Sequence, residues 1–278
     1  MKRIANIIRE GLSSHYPTGK IAALTRIIAT ELLGVSQMAF YLKDDITLTA
    51  EQQALLDNAI ERLKKQEPIQ YILGYCDFCG LRFKVTPATL IPRPETSELV
   101  EWIASEAAGY GSILDIGTGS GCIAVSLAQK LPQSKVTAWD ISNDALAVAA
   151  ENSKANGQAV TFEQVDILAY EPTGEQFDII VSNPPYIKEN EKSAMHSNVL
   201  NWEPHTALFV PDSDPLLLYR TIAKKGLSLL KPNGRLYFEI NRAHGKETME
   251  MLAALGYTCI ELRKDFAEND RMIRAVKN

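Results

Sequence analysis

Two stretches of this 278-residue chain carry residue types whose spacing could do chemistry. The first is Ser182-Asn183-Pro184-Pro185-Tyr186, directly after the apolar run Phe177-Asp178-Ile179-Ile180-Val181. Two consecutive prolines remove two backbone donors and hold the chain extended, so the segment offers carbonyls. The Asn183 side-chain oxygen and the Pro184 carbonyl can then accept both hydrogens of one –NH₂ group. An amide or exocyclic base nitrogen is conjugated, which makes its lone pair a poor nucleophile. Two fixed acceptors orient such a group and favour positive charge developing on it, while Tyr186 can pack over its plane. Catalysis by Asn183, Pro184, Pro185 and Tyr186 would rest on positioning and electrostatics. An isolated Pro-Pro pair is more often a plain turn, but this one follows a strand of an expected ligand-binding sheet. Glutamine, adenine, cytosine and guanine all remain open as owners of the nitrogen.

The second stretch is Asp115-Ile116-Gly117-Thr118-Gly119-Ser120-Gly121, at the join of an apolar strand and a helix. Glycines let backbone turn sharply and approach a ligand where a Cβ would collide. A dinucleotide fingerprint needs its third glycine where Cys122 stands, so a pyrophosphate loop is the weaker option. Asp140 closes the next expected strand and can accept from ribose hydroxyls. Asp166 closes the third and can accept from an adenine amine, with Ile167 offering an apolar face. Asp115 can pair with an ammonium. Any one of these aspartates alone reads as a cap or a solvated strand end; three on successive strand tips do not. Amino acid, ribose and adenine together point to S-adenosylmethionine rather than NAD, with S-adenosylhomocysteine as product. The expected cofactor set is Asp115, Gly117, Thr118, Gly119, Ser120, Gly121, Asp140, Asp166, Ile167 and Asn183.

The elements that must position these loops are legible as alternation. Strands are expected at 112–116, 136–139, 160–165, 177–181, 235–240, 257–262 and 272–276, with helices at 122–131, 144–156, 216–230 and 246–255. Repeated β-α-β units imply a mostly parallel sheet covered on both faces. Ahead of it, Ile21, Leu24, Ile27, Ile28 and Leu32 recur at helical spacing, and Thr49 with Gln52 resembles a capping box opening a second apolar run. Short apolar pieces at Tyr71–Leu73 and Leu81–Val85, separated by Gly74 and Gly80, suggest a β-hairpin linker. The expected division is a helical domain over 1–70, the linker over 71–95 and an α/β domain over 96–278.

Bulk properties exclude several classes. The net charge is −5, and residues 1–70 hold nine Lys/Arg against eight Asp/Glu, so no basic clamp for nucleic acid is expected. No apolar run approaches a membrane span, and the N-terminus lacks a signal-peptide stretch, which favours a cytoplasmic protein. The four cysteines form no secreted framework, and Cys76 and Cys79 lack the further ligands a zinc site needs, so no metal is expected. His15, His196, His205 and His244 are scattered, and Trp202 and Phe209 are expected to pack the loop after Tyr186.

Over nearly its whole length the sequence resembles the release-factor glutamine methyltransferase family (HemK/PrmC). The likeness runs through Pro68 to Gly74, Leu90-Ile91-Pro92-Arg93-Pro94-Glu95-Thr96, Asp115 to Gly121, Asn183 to Ile187 and Asn269-Asp270-Arg271. The Ile91–Thr96 segment discriminates most, because nucleic-acid amino-methyltransferases share the other two site motifs. The resemblance implies a Rossmann-like class I methyltransferase with a seven-stranded, mostly parallel sheet behind a helical bundle and a hairpin. It also implies methylation at N5 of the glutamine in the Gly-Gly-Gln motif of peptide chain release factors, which the bundle would dock. The competing expectation is an adenine-N6 or guanine-N2 methyltransferase of DNA or RNA, which would need base extrusion or a single strand.

Overall fold

The computed structural model describes residues 1–42, 46–107, 109 and 111–278; Lys43, Asp44 and Asp45, counted in the charge balance above, lie outside them. Two compact units form, residues 1–74 with 196–202 and residues 75–195 with 203–278.

The first unit is helical because its apolar residues recur on single faces. Helix α1 (Lys2–Leu12) buries Ile4, Ile8 and Leu12, and α2 (Thr18–Ile27) buries Ile21 and Leu24 before running into a π-helical turn over Ile28–Leu32. Short α3 (Gln37–Leu42) leads to α4 (Ala50–Lys64), which buries Leu56, Ala59, Ile60 and Leu63. The capping box at α4 is reciprocal: the Gln52 backbone N–H donates to the Thr49 hydroxyl, and the Thr49 N–H donates to the Gln52 side chain, both at 3.1 Å. Tyr71–Leu73, expected in the hairpin, lies instead in helix α5 (Ile69–Leu73), started by Pro68 and ended by Gly74. Proline before the first helical residue lacks a donor that the helix start would leave unpaired anyway, so it starts this turn instead of breaking a strand. The Trp202 indole donates to the Lys65 carbonyl at 3.1 Å, a contact within this unit.

The second unit opens with the antiparallel hairpin β1 (Tyr75–Phe78) and β2 (Leu81–Lys84). Phe78 and Phe83 of this hairpin are buried in one cluster with Leu99, Trp102, Ile113 and Ile123. Next come α6 (Pro94–Glu106), β3 (Ser112–Ile116), α7 (Cys122–Lys130), β4 (Lys135–Asp140), α8 (Asn143–Ala155), β5 (Val160–Gln164) and β6 (Phe177–Ser182). A small parallel pair, β7 (Ile187–Lys188) and β8 (Phe209–Val210), flanks α9 (Ser197–Leu200), which belongs to the helical unit. The chain ends with α10 (Leu217–Leu229), β9 (Leu230–Glu239), α11 (Gly245–Ala254), β10 (Thr258–Lys264) and β11 (Asp270–Val276).

The main sheet has the order β10-β11-β9-β6-β3-β4-β5, with β11 antiparallel to both neighbours and the other pairings parallel. Strands β3 and β6, with the Leu236–Phe238 part of β9, read as apolar runs because both faces are covered: Leu99, Ile123 and Tyr237 lie in one cluster, Tyr219, Ile222 and Phe238 in the other. The chain winds outward from β3 through β4 to β5 and then returns to β6 on the other side. The switch point between β3 and β6 therefore opens a crevice at the carboxyl ends of these strands, where open α/β sheets bind ligands. Among the described residues, no helix is long and apolar enough to cross a membrane.

Candidate active site

Register brings the two sequence motifs to that crevice. Ile116 pairs with Ser182 across β3 and β6, and with Trp139 across β3 and β4. Gly117, Asn183 and Asp140 each follow one of these residues, so they stand level at adjacent strand ends. Ser182 in turn pairs with Phe238, which sets Glu239 beside Asn183.

The glycine loop is tied down by its neighbours. Gly117 and Thr118 N–H groups donate to the Trp139 carbonyl at 2.8 and 3.0 Å, and Gly119 N–H donates to Asp140 Oδ2 at 2.8 Å. Asn152 on α8 donates to the Ser120 carbonyl at 2.9 Å. Gly119 has φ +56°, and a Cβ added there would meet nothing within 4 Å, so the backbone faces open space. Gly121 is different: at φ +80° its Cβ would lie 3.0 Å from that of Ala149, and the glycine allows α7 and α8 to pack.

Asp115 is fully buried. Its Oδ2 accepts from the Thr118 hydroxyl at 2.6 Å, while Oδ1 has no partner. Burial pushes this carboxyl up to about 7, with the Thr118 hydrogen bond opposing and Asp140 adding to the rise. A buried carboxylate oxygen without a hydrogen-bond partner, on the strand that leads into the glycine loop, suits an incoming ammonium. Asp140 is also raised by burial, against backbone donors from Ser142 and Gly119. Its two oxygens already accept from those N–H groups, so it holds the loop as well as offering its remaining lone pairs to a ribose. Asp166 is exposed and lies two residues beyond β5, where its Oδ1 accepts from Leu168 N–H at 2.9 Å. Ile167 packs partly into the cluster around Trp139 and Phe177. The large exposed apolar side chains beside these aspartates are Ile141 and Leu168, which the sequence reading missed. Their position next to strand-end carboxylates was the available signal.

At the acceptor loop, Asn183 Oδ1 is buried and without a partner, while its Nδ2 donates to the Thr96 hydroxyl at 3.4 Å. Thr96 donates to Glu239 Oε2 at 2.6 Å, and the Tyr186 hydroxyl donates to Glu239 Oε1 at 3.4 Å. Burial pushes the Glu239 carboxyl up against the pull of Thr96 and Arg271, and burial with Glu239 pushes the Tyr186 phenol up. Asn241 Nδ2 donates to the Tyr186 carbonyl at 3.2 Å. The Ile91–Thr96 segment now has a physical role. Pro94 starts α6, which turns buried Thr96 toward Glu239. Buried Glu203 accepts from Ile91 N–H at 3.2 Å and from Arg93 at 2.6 Å, fixing the approach to that helix. Sequence reasoning found Ile91–Thr96 but missed Glu239 and Glu203 as its partners. A cavity of about 320 Å³ adjoins Tyr186, lined also by Ile187, Glu191, Asn241, Arg242 and Arg271.

An open, mostly parallel seven-stranded sheet with a glycine loop after its first strand and acidic neighbouring strand tips defines a Rossmann-like methyltransferase. Solved structures agree on that fold. A methyltransferase from Pyrococcus furiosus superposes with TM-score 0.54 at 18% identity, covering 83% of this chain and 100% of its own. A T. thermophilus 16S rRNA N2 methyltransferase, solved with AdoMet and guanosine, gives TM-score 0.53 at 16% identity over 73% of this chain and 50% of its own. Residues 8–74 match the family model described as PrmC N-terminal domain, and residues 95–202 match Methyltransferase small domain. Release factor glutamine methyltransferases of Bacteroides thetaiotaomicron and Flavobacterium psychrophilum are 49% and 46% identical, covering 99% and 95% of both chains respectively. The chain belongs to the release factor glutamine methyltransferase family.

Proposed function

We propose that this protein methylates the side-chain amide nitrogen (N5) of the glutamine in the Gly-Gly-Gln motif of peptide chain release factors, with S-adenosylmethionine as donor. The observation that carries the reading is the buried, unpartnered Asn183 Oδ1, level with the glycine loop across the β3/β6 switch point. A buried carbonyl oxygen left without a donor costs about 1–3 kcal/mol, and a substrate –NH₂ group relieves that cost on binding.

When bound, the cofactor supplies an electrophilic methyl group. Asp115 takes its ammonium through the free Oδ1, the 117–121 loop accommodates its amino-acid end, and Asp140 accepts from the ribose. Asp166 accepts from the adenine amine, with Ile141 and Leu168 as the apolar contacts of the ring. On the substrate side, Asn183 Oδ1 and the Pro184 carbonyl each accept one amide hydrogen, so the nitrogen is held with its plane fixed. As the new N–C bond forms and the methyl group leaves the sulfur, positive charge grows on nitrogen and both contacts strengthen; this selective gain is what lowers the barrier. The surplus amide proton then passes to solvent, leaving N5-methylglutamine. The Tyr186 ring packs over the planar amide. The cavity beside Tyr186 takes the polypeptide flanking the glutamine, and the helical unit docks the body of the release factor. Such a substrate sets the reaction in the cytoplasm.

Incubation with labelled S-adenosylmethionine and an unmodified release factor should label the Gly-Gly-Gln peptide, identified by mass spectrometry, and Asn183→Ala should slow the labelling on the order of 10²- to 10³-fold. Absence of label under conditions where cofactor binds, or equal labelling of nucleic acid, overturns the proposal.

A further inference from the structure

An amide side chain carries an acceptor and a donor of nearly equal size, so Asn183 serves a substrate –NH₂ in only one of its two flipped orientations. Turned the other way, its own –NH₂ would face the hydrogens of the substrate nitrogen. The groups behind Asn183 remove that ambiguity. Its Nδ2 donates to Thr96 Oγ1 at 3.4 Å, and the Thr96 hydroxyl donates onward to Glu239 Oε2 at 2.6 Å. A hydroxyl has one hydrogen. With that hydrogen committed to a carboxylate, Thr96 can only accept from Asn183, so the amide turns –NH₂ toward Thr96 and Oδ1 away, where it lies buried without a partner.

We propose that Glu239, acting through the Thr96 hydroxyl, fixes which way round the Asn183 amide faces and so presents an acceptor to the substrate nitrogen. Thr96 and Glu239 are positioning residues on this view, and the inference rests on the acceptor reading of Asn183.

The chemistry explains why a carboxylate stands there. Glu239 receives two donors, Thr96 at Oε2 and Tyr186 at Oε1. An ionised carboxylate accepts at both oxygens, whereas a glutamine accepts at one and donates at the other. Glutamine at this site would either leave the Tyr186 hydroxyl unpaired or donate to Thr96, turning the Thr96 hydrogen toward Asn183 and reversing the amide. Thr96 and Glu239 are both almost fully buried, so water does not substitute for either contact. Burial works against the ionised form of Glu239, as does Glu95 on α6, while the Thr96 hydrogen bond and the Arg271 guanidinium on β11 favour it. The three members come from three elements: Thr96 from the first turn of α6, Asn183 from the end of β6 and Glu239 from the end of β9.

The test compares Thr96→Val, Thr96→Ser, Glu239→Gln, Asn183→Ala and the double variant Asn183→Ala/Glu239→Gln in the full-length protein. It measures methylation of a release factor and, separately, cofactor dissociation constants by calorimetry. Thr96→Val should lower kcat on the order of 10- to 100-fold, the scale of losing a partner that orients a contacting group from behind. Thr96→Ser should rescue most of that loss, and Glu239→Gln should fall in between, with cofactor affinity little changed throughout. In the Asn183→Ala background Glu239→Gln should add no further loss, because it acts through the missing amide; a merely structural role would multiply the losses. Should Thr96→Val fail to fold, Glu239→Gln and the double variant carry the test alone. Wild-type rates in Asn183→Ala would sink the acceptor reading itself. A low rate in Asn183→Ala with wild-type kcat in Glu239→Gln, or with multiplied losses in the double variant, would sink the positioning role and leave that reading standing.

Discussion

Replacing Asp115 by Asn should stabilise the cofactor-free protein while destroying its response to cofactor. Burial lifts this carboxyl from 3.8 to about 7. The native state therefore holds a proton that the unfolded chain releases between those values, and stability falls as pH rises through that window. Relative to a permanently neutral side chain, the carboxyl costs about 1.5 kcal/mol at pH 5 and about 4 kcal/mol from pH 7 upward, at 1.36 kcal/mol per tenfold change. Asn keeps an oxygen for the Thr118 hydroxyl but turns an –NH₂ toward the place where Asp115 Oδ1 has no partner, a pH-independent cost of about 1–3 kcal/mol. That offset is the same at every pH, so the pH-dependent part is read directly. The difference between Asp115→Asn and wild type should grow in favour of the variant by about 3 kcal/mol between pH 5 and pH 8, or roughly 6–12 °C in Tm for a domain of this size. Thermal melts at both pH values, with and without S-adenosylhomocysteine, make the measurement. Wild type should gain Tm from the ligand most strongly at pH 8, where its carboxylate needs a cation, and the variant should gain almost nothing. A variant destabilised equally at pH 5 and pH 8, or one that keeps its ligand-induced shift, refutes the reasoning.

Three further outcomes follow from the same geometry. Gly121→Ala should cost about 2–4 kcal/mol, combining left-handed strain with overpacking against Ala149, and should lower Tm. Gly119→Ala should cost only about 1–2 kcal/mol of strain, because its Cβ meets open space, yet weaken cofactor binding on the order of tenfold by calorimetry. Equal melting points with unchanged affinity would contradict the assignment of open space to the ligand. Glu203→Ala should destabilise by about 1–3 kcal/mol, since it strands the buried Ile91 N–H and removes the ion-pair partner of the half-exposed Arg93 guanidinium. If its chemical denaturation midpoint matched wild type, Glu203 would not be what fixes the Ile91–Thr96 segment.

The sequence by itself determined the chemistry on offer and the order of the elements. Alternating apolar runs gave the parallel strands because buried strands are apolar on both faces, and the capping box at Thr49 was readable because its partners lie three residues apart. Gly117–Gly121 and Asn183–Tyr186 were legible as motifs for the same reason: each is a contiguous loop whose residue types stand side by side in the chain. Local pattern failed where a neighbour decided the outcome. Tyr71–Leu73 became helix because Pro68 and Gly74 bracket a single turn, and Ile167 turned into the core and left Ile141 and Leu168 exposed. Only the tertiary structure could pair Thr96 with Glu239, 143 positions later, or Ile91 with Glu203, 112 positions later. Those contacts depend on strand register and on the turn that starts α6, neither of which leaves a periodic trace in the chain. A lone buried glutamate reads as nothing in sequence; beside Thr96 and Asn183 it sets the direction of an amide.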